Sequence, residues 1–149
     1  MIPKKIHYIW LGKNSYPNLM DICINSWREK LPDYEIIEWN EENLNFYEEI
    51  EKNRFLKECY NRKLWAFLSD YFRIKVLYEE GGVYLDTDMQ IIKNIDKLLS
   101  NDFFIGAESE KVISAGIIGV IPKHPLMKKI LEFYSVCLLY TSPSPRDMR

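Results

Sequence analysis

Two aspartates two residues apart, Asp86 and Asp88, close a short apolar run, Val83-Tyr84-Leu85, that follows Gly81-Gly82. In an extended backbone side chains alternate, so Tyr84, Asp86 and Asp88 point to one side and Val83 and Leu85 to the other. Two carboxylates converging where a strand ends suit a divalent cation with oxygen ligands, and the mouth of a strand is where open α/β folds place ligands. Upstream, Asp70 and Arg73 lie three residues apart, which makes them neighbours on one helix face. That pair is either a surface ion pair or part of a site, and the spacing alone leaves both readings open.

The elements that must position these groups follow from periodicity. Leu64, Phe67, Leu68, Tyr71 and Tyr78 keep the spacing of a buried helical stripe, with Ala66, Asp70, Arg73 and Leu77 on the stripe beside it. Gly81-Gly82 supplies a left-handed stop. Residues 6–11 (Ile-His-Tyr-Ile-Trp-Leu) are apolar on both faces, as in a central strand, and end at Gly12. Pro17 opens a helix that carries Leu19, Ile22, Cys23, Trp27 and Leu31 up to Pro32. Residues 35–39 read as a second strand, with Asn40 as N-cap of the next helix. Residues 41–80 read as largely helical, broken near Asn53 or Asn61. Further strands are expected at 83–85, 103–107 and 117–121, then a helix over 122–134 with Leu126, Ile130, Phe133 and Tyr134 inward. Alternating strands and helices predict an α/β fold with a mostly parallel sheet and right-handed crossovers.

With 149 residues, 47% hydrophobic and 14% aromatic, the chain is sized for one domain with a core. Twenty Lys and Arg against 22 Asp and Glu give no electrostatic footprint for nucleic acid. Cys23, Cys59 and Cys137 form no C-x-x-C pair, which argues for reduced thiols rather than a disulfide framework or structural zinc. No signal-peptide core or bilayer-length apolar run is present, so the expected location is the cytoplasm. Residues 136–149, with their Thr-Ser-Pro-Ser-Pro run, lack helical or strand periodicity and read as a non-native tail. On that reading residues 1–135 are the N-terminal part of a domain that is incomplete at its C-terminal side.

Asp86-x-Asp88 alone is a weak signal. An EF-hand counted from Asp86 needs Gly at its sixth position and Glu at its twelfth, where Ile91 and Lys97 stand. A phosphohydrolase of the haloacid dehalogenase type, with Asp86 as nucleophile, fits poorly because Gln90 stands two residues after Asp88, where that type has Thr or Val, and some eighty residues precede the motif. A third pattern accounts for more residues. Residues 6–12, Ser26-Trp27, residues 31–36, Ala66-x-x-Ser69-Asp70-x-x-Arg73-x-x-x-Leu77, Gly81-Gly82-x-Tyr84-x-Asp86-x-Asp88 and, further on, His124-Pro125-Leu126 occur in one order. This order resembles the D-x-D sugar-binding glycosyltransferases of capsular polysaccharide synthesis and yeast initiating mannosyl transfer, glycosyltransferase family 32.

The resemblance implies a GT-A-like, Rossmann-type nucleotide-diphosphosugar fold and a retaining, metal-dependent transferase. It implies a UDP- or GDP-sugar donor and manganese or magnesium as cofactor. Its acceptor would be a glycan or a lipid-linked one, as in surface polysaccharide assembly, with any peripheral membrane contact left to the part beyond residue 135. Ile9 and Leu11 would meet the nucleobase through their backbone and Trp10 would stack on it; core packing is the alternative for Trp10. Asp70 and Arg73 would hold sugar hydroxyls and the diphosphate, Tyr84 would border the donor, Asp86 would reach hydroxyls and the cation's shell, and Asp88 would be the direct ligand. A non-catalytic nucleotide-sugar or glycan-binding fragment is the competing class. His7 and His124 lack partners at metal spacing and read as structural. Trp27, Trp39 and Trp65 read as core. Glu41, Glu42, Glu48, Glu49 and Glu51 read as a solvated face.

Overall fold

The structure, a computed structural model, describes residues 1–140, with side chains described through residue 135. Strand β1 (Lys5–Ile9) leads into helix α1 (Asn18–Lys30) and strand β2 (Glu35–Trp39). Three helices follow: α2 (Phe46–Glu51), α3 (Arg54–Asn61) and α4 (Trp65–Glu80). Strand β3 (Gly82–Leu85), a 3₁₀ turn (Asp96–Ser100), strands β4 (Phe103–Ser109) and β5 (Val112–Val120) and helix α5 (Pro125–Tyr140) complete the order. Helix α5 therefore runs past Ser135, and residues 141–149, with the Pro-rich run, lie outside the described residues.

The sheet order is β2-β1-β3-β5-β4. β1 is parallel to β2 and β3, whereas β5 is antiparallel to both β3 and β4. The α/β class holds, but the sheet is mixed rather than mostly parallel. The cause is local: only Glu110 and Lys111 separate β4 from β5, which forces a hairpin in place of a crossover.

Strand alternation divides the core between the two faces. Val83 and Leu85 join Ile6, Trp27, Leu31 and Leu99 on the α1 face; Tyr84 joins Leu68, Phe72, Ile118 and Met127 on the α4 and α5 face. Each large apolar side chain buried this way contributes about 1.5–3 kcal/mol. Helix α4 is covered on two sides, so its buried positions are Leu68, Phe72, Arg73, Ile74, Val76 and Leu77, while Phe67, Tyr71 and Tyr78 lie half-buried on its flank.

Several local expectations give way to tertiary context. Asn40 does not cap a helix; its Oδ1 accepts from Glu42 N at 2.9 Å in a turn, and α2 starts only after Asn45, at φ 56°. The helical region breaks at both expected places. Asn53 caps α3 by accepting from Leu56 N at 2.9 Å, and Lys63, at φ 55°, separates α3 from α4. Helix α5 begins at Pro125, which turns Met127, Ile130 and Leu131 inward and leaves Leu126 and Phe133 exposed. Glu41 is buried and accepts from Gly12 N at 2.8 Å, and Glu49 pairs with Lys75, so neither belongs to a solvated face.

Cys23 and Cys59 are free and buried. Among the described residues no helix is long and apolar enough to cross a membrane.

Candidate functional site

The chain leaves β1 for β2 on one side and returns to β3 on the other, so the C-terminal ends of β1 and β3 flank a topological switch point. A cleft of about 690 Å³ opens there. Ile9, Trp10, Leu11, Asp70, Arg73, Tyr84, Asp86 and Asp88 all line it. Residues from β1, α4 and β3, up to 79 positions apart in sequence, thus share one cavity.

Arg73 organises the floor. Its side chain is only 9% exposed, yet Nη2 lies 3.2 Å from Asp70 Oδ1 and 3.2 Å from Asp86 Oδ1. Nη1 donates to Ala115 O at 2.9 Å, Nη2 to Ser69 Oγ at 3.3 Å, and the guanidinium carbon sits 4.3 Å from the centre of the Tyr84 ring. Burial of a guanidinium is tolerated because its donors are used on fixed oxygens and its face on a π-system. Tyr84 OH donates to Asp86 Oδ1 at 3.1 Å, so that oxygen has two donors while Asp88 stays exposed. Loss of hydration in the cleft wall raises the Asp70 carboxyl above its ordinary range, against the pull of Arg73 and together with the charge of Asp86.

The strand-end segment that carries the two aspartates is held from both sides. Asp86 N donates to Gly116 O at 2.9 Å, and Met89 N turns back to Asp86 O at 3.0 Å. On the α1 side Trp27 Nε1 donates to Met89 O at 2.7 Å and Ser26 Oγ accepts from Ile91 N at 2.9 Å. These bonds explain why Ser26-Trp27 belongs with the motif: the pair anchors the loop rather than touching the cleft. On the other side, Gly116 O extends the β3–β5 ladder to Asp86, and where β5 shifts register against β4, between Ile105 and Gly106, the Ala115 carbonyl faces Arg73. A Cβ at Gly116 would come within 3.3 Å of Asp86 Oδ2, so the missing side chain keeps room beside that oxygen.

That room and the donor types fit a hard divalent ion bound by two carboxylates, with other ligands from phosphate oxygens or water. Among the described residues no group of three His, Cys, Asp or Glu is placed to hold a metal by itself.

Sequence reasoning missed several lining residues. Asn14, Ser69, Glu108, Ile113 and Ser114 join the cleft, and so does Trp65, which had read as core. Ser69 stands beside Asp70 in the motif and carried a signal. Glu108, Ile113 and Ser114 carried none, because only the β4–β5 hairpin brings them to the cleft mouth. His7 behaves as expected of a structural residue: it is fully buried, accepts from Trp39 Nε1 at 3.0 Å on Nδ1 and donates from Nε2 to Gly81 O at 2.8 Å.

The family described as "Glycosyltransferase sugar-binding region containing DXD motif" matches residues 17–105, a span that includes Asp70, Arg73, Tyr84, Asp86 and Asp88. The chain belongs to this family. Two proteins from Schizosaccharomyces pombe are similar in sequence. Inositol phosphoceramide mannosyltransferase 1 is 30% identical over 135 residues, covering 88% of this chain and 42% of its own length. Inositol phosphoceramide mannosyltransferase 3 is 28% identical over 131 residues, covering 88% of this chain and 36% of its own. The chain thus spans less than half the length of these relatives. Among solved structures, PaToxG glycosyltransferase superposes with a TM-score of 0.77 at 17% identity over 99% of this chain and 65% of that one. That likeness shows a shared fold, consistent with the GT-A-like architecture. Membership of the family also decides against the phosphohydrolase reading of Asp86.

Proposed function

We propose that this chain is the donor-binding part of a metal-dependent, retaining glycosyltransferase that moves a sugar from a nucleotide diphosphosugar to a glycan or lipid-linked acceptor. One observation carries the reading: Asp86 and Asp88 meet Asp70, Arg73 and Trp10 in a single cleft at the sheet's switch point. The relatives' names, which join mannosyl transfer to a ceramide lipid, favour a lipid-linked acceptor and a mannosyl donor.

The residues divide the work. Trp10 offers an indole face to the base, its Nε1 tied to Asn14 O at 2.8 Å so that the ring is held still. Asp88, exposed at the strand end, and Asp86 Oδ2 are the oxygens that would hold magnesium or manganese. When bound, such an ion acts as a Lewis acid on the diphosphate and stabilises the charge that grows on the leaving group. Most of Arg73's N–H groups already face Ser69, Asp70, Asp86 and Ala115, so its contribution is to orient both aspartates and keep positive charge under the cleft. Asp70, half exposed, is left to accept from sugar hydroxyls and so to position the donor.

The test is a thermal-shift and hydrolysis screen of UDP- and GDP-sugars with and without manganese. A donor that binds the native state raises the midpoint only with the metal, and slow release of nucleoside diphosphate accompanies it. Equal response of the Asp88→Asn variant would overturn the metal assignment. Tight nucleotide-sugar binding that ignores the metal would favour a binding module.

A further inference from the structure

We infer that Trp65 is a second nucleobase-contacting residue, closing on the ring face opposite Trp10; this rests on the donor reading above. The two indoles reach the cleft from opposite sides of the sheet. Trp10 packs with the α1-face cluster and Trp65 with the α4-face cluster, and both line the cavity where β1 ends. A planar ligand entering at that edge meets one ring from each side.

Trp65 is built for exposure rather than for core filling. It is half-buried, the first residue of α4, and held by an edge contact from Tyr60 at 6.0 Å. Gly12, at φ 89°, passes directly over its indole, where a Cβ would stand 2.9 Å from Nε1. The glycine lets the β1–α1 loop lie on the ring without covering the rest of it. The indole N–H is the second signal. Trp10, Trp27 and Trp39 each donate to a protein acceptor. Trp65 Nε1 has no such acceptor among the described residues and is not sealed from solvent without one. A donor kept available at the cleft wall matches the carbonyl and hydroxyl acceptors of a nucleoside.

Chemistry along the cleft is polarised to suit. Trp65 precedes Asp70 by five helical positions, a rise of about 7.5 Å, so the aromatic end lies more than one turn from the carboxylate end. A nucleoside diphosphate has the same polarity, an aromatic base at one end and an anion seeking a cation at the other.

The experiment is calorimetric titration of GDP, UDP and inorganic pyrophosphate, each with magnesium, into the chain and its Trp65→Ala and Trp65→Phe variants, with thermal midpoints recorded. Trp65→Ala is expected to weaken nucleoside diphosphates about tenfold and leave pyrophosphate unchanged, and Trp65→Phe to recover most of the loss through its ring. Unchanged nucleotide affinity in a folded Trp65→Ala variant, or equal loss for pyrophosphate, would overturn the inference while leaving the donor reading intact. A wild-type chain that binds pyrophosphate and nucleotides equally, or neither, would overturn the donor reading and this inference with it.

Discussion

Arg73 Nη2 stands 3.2 Å from Asp86 Oδ1, so the buried guanidinium of α4 is locked to the first aspartate of the strand-end pair. The same nitrogen is 3.2 Å from Asp70 Oδ1, and one cation therefore sets the direction of two carboxylates on different elements.

Arg73→Ala should remove that lock and leave the Ala115 carbonyl and two acidic groups facing each other. Because the aspartates remain partly in water, the expected loss is about 2–3 kcal/mol, short of the full cost of breaking a buried pair. Urea unfolding measures it. Arg73→Lys should recover only part, since an ammonium cannot reach all of these acceptors at once.

Asp86 and Asp88 should respond differently to the same change. Asp88 is exposed, so Asp88→Asn should leave stability within about 0.5 kcal/mol while lowering metal-dependent nucleotide-sugar hydrolysis at least about a hundredfold. Asp86→Asn should lower turnover and also destabilise by about 1 kcal/mol, because its Oδ1 accepts from Tyr84 and pairs with Arg73. Paired denaturation and turnover measurements separate the two, and equal stability loss in both variants would contradict the geometry.

His7 gives the fold a pH dependence. Burial pushes its imidazole below the ordinary range; the Gly81 carbonyl and the charges of Glu80 and Glu35 oppose this, and Lys5 adds to it. The unfolded chain then takes up a proton at higher pH than the native protein. Stability from this group is full above about pH 6.5 and declines as pH falls below it. His7→Gln keeps a donor for Gly81 O and should flatten that part of the profile. An unchanged slope in the variant, read by denaturation from pH 7 to 5, would assign the dependence to other groups.

Gly82→Ala should destabilise by about 2 kcal/mol or more. Gly82 has φ 116°, a region that side chains avoid, and a Cβ there would stand 2.9 Å from Lys5 O and 3.0 Å from His7 Nε2. The clash falls between β1 and β3, so the thermal midpoint should drop even though the change adds one methyl group.

What the residues determine on their own is local. Alternation along β3 put Tyr84 on one face with Val83 and Leu85 on the other, helical spacing made Asp70 and Arg73 neighbours, and Gly81-Gly82 ended α4. These are consequences of backbone periods and of sterics at Cβ, which act within a few residues. The linear order of motifs was likewise enough to place the chain in its family. The tertiary structure decided the rest, because it depends on which surfaces meet. The sheet became mixed when two residues between β4 and β5 left no length for a crossover. Glu41 became a buried acceptor because Gly12 arrived beside it, and Trp65 became a cleft wall where the β1–α1 loop crosses its indole with a glycine that carries no side chain. Arg73 reads from spacing as a partner of Asp70 alone. Only the approach of β3 and β5 to α4 makes it the hub of Asp70, Asp86 and Ala115, since contacts between distant segments follow from packing and leave no periodic trace in the chain.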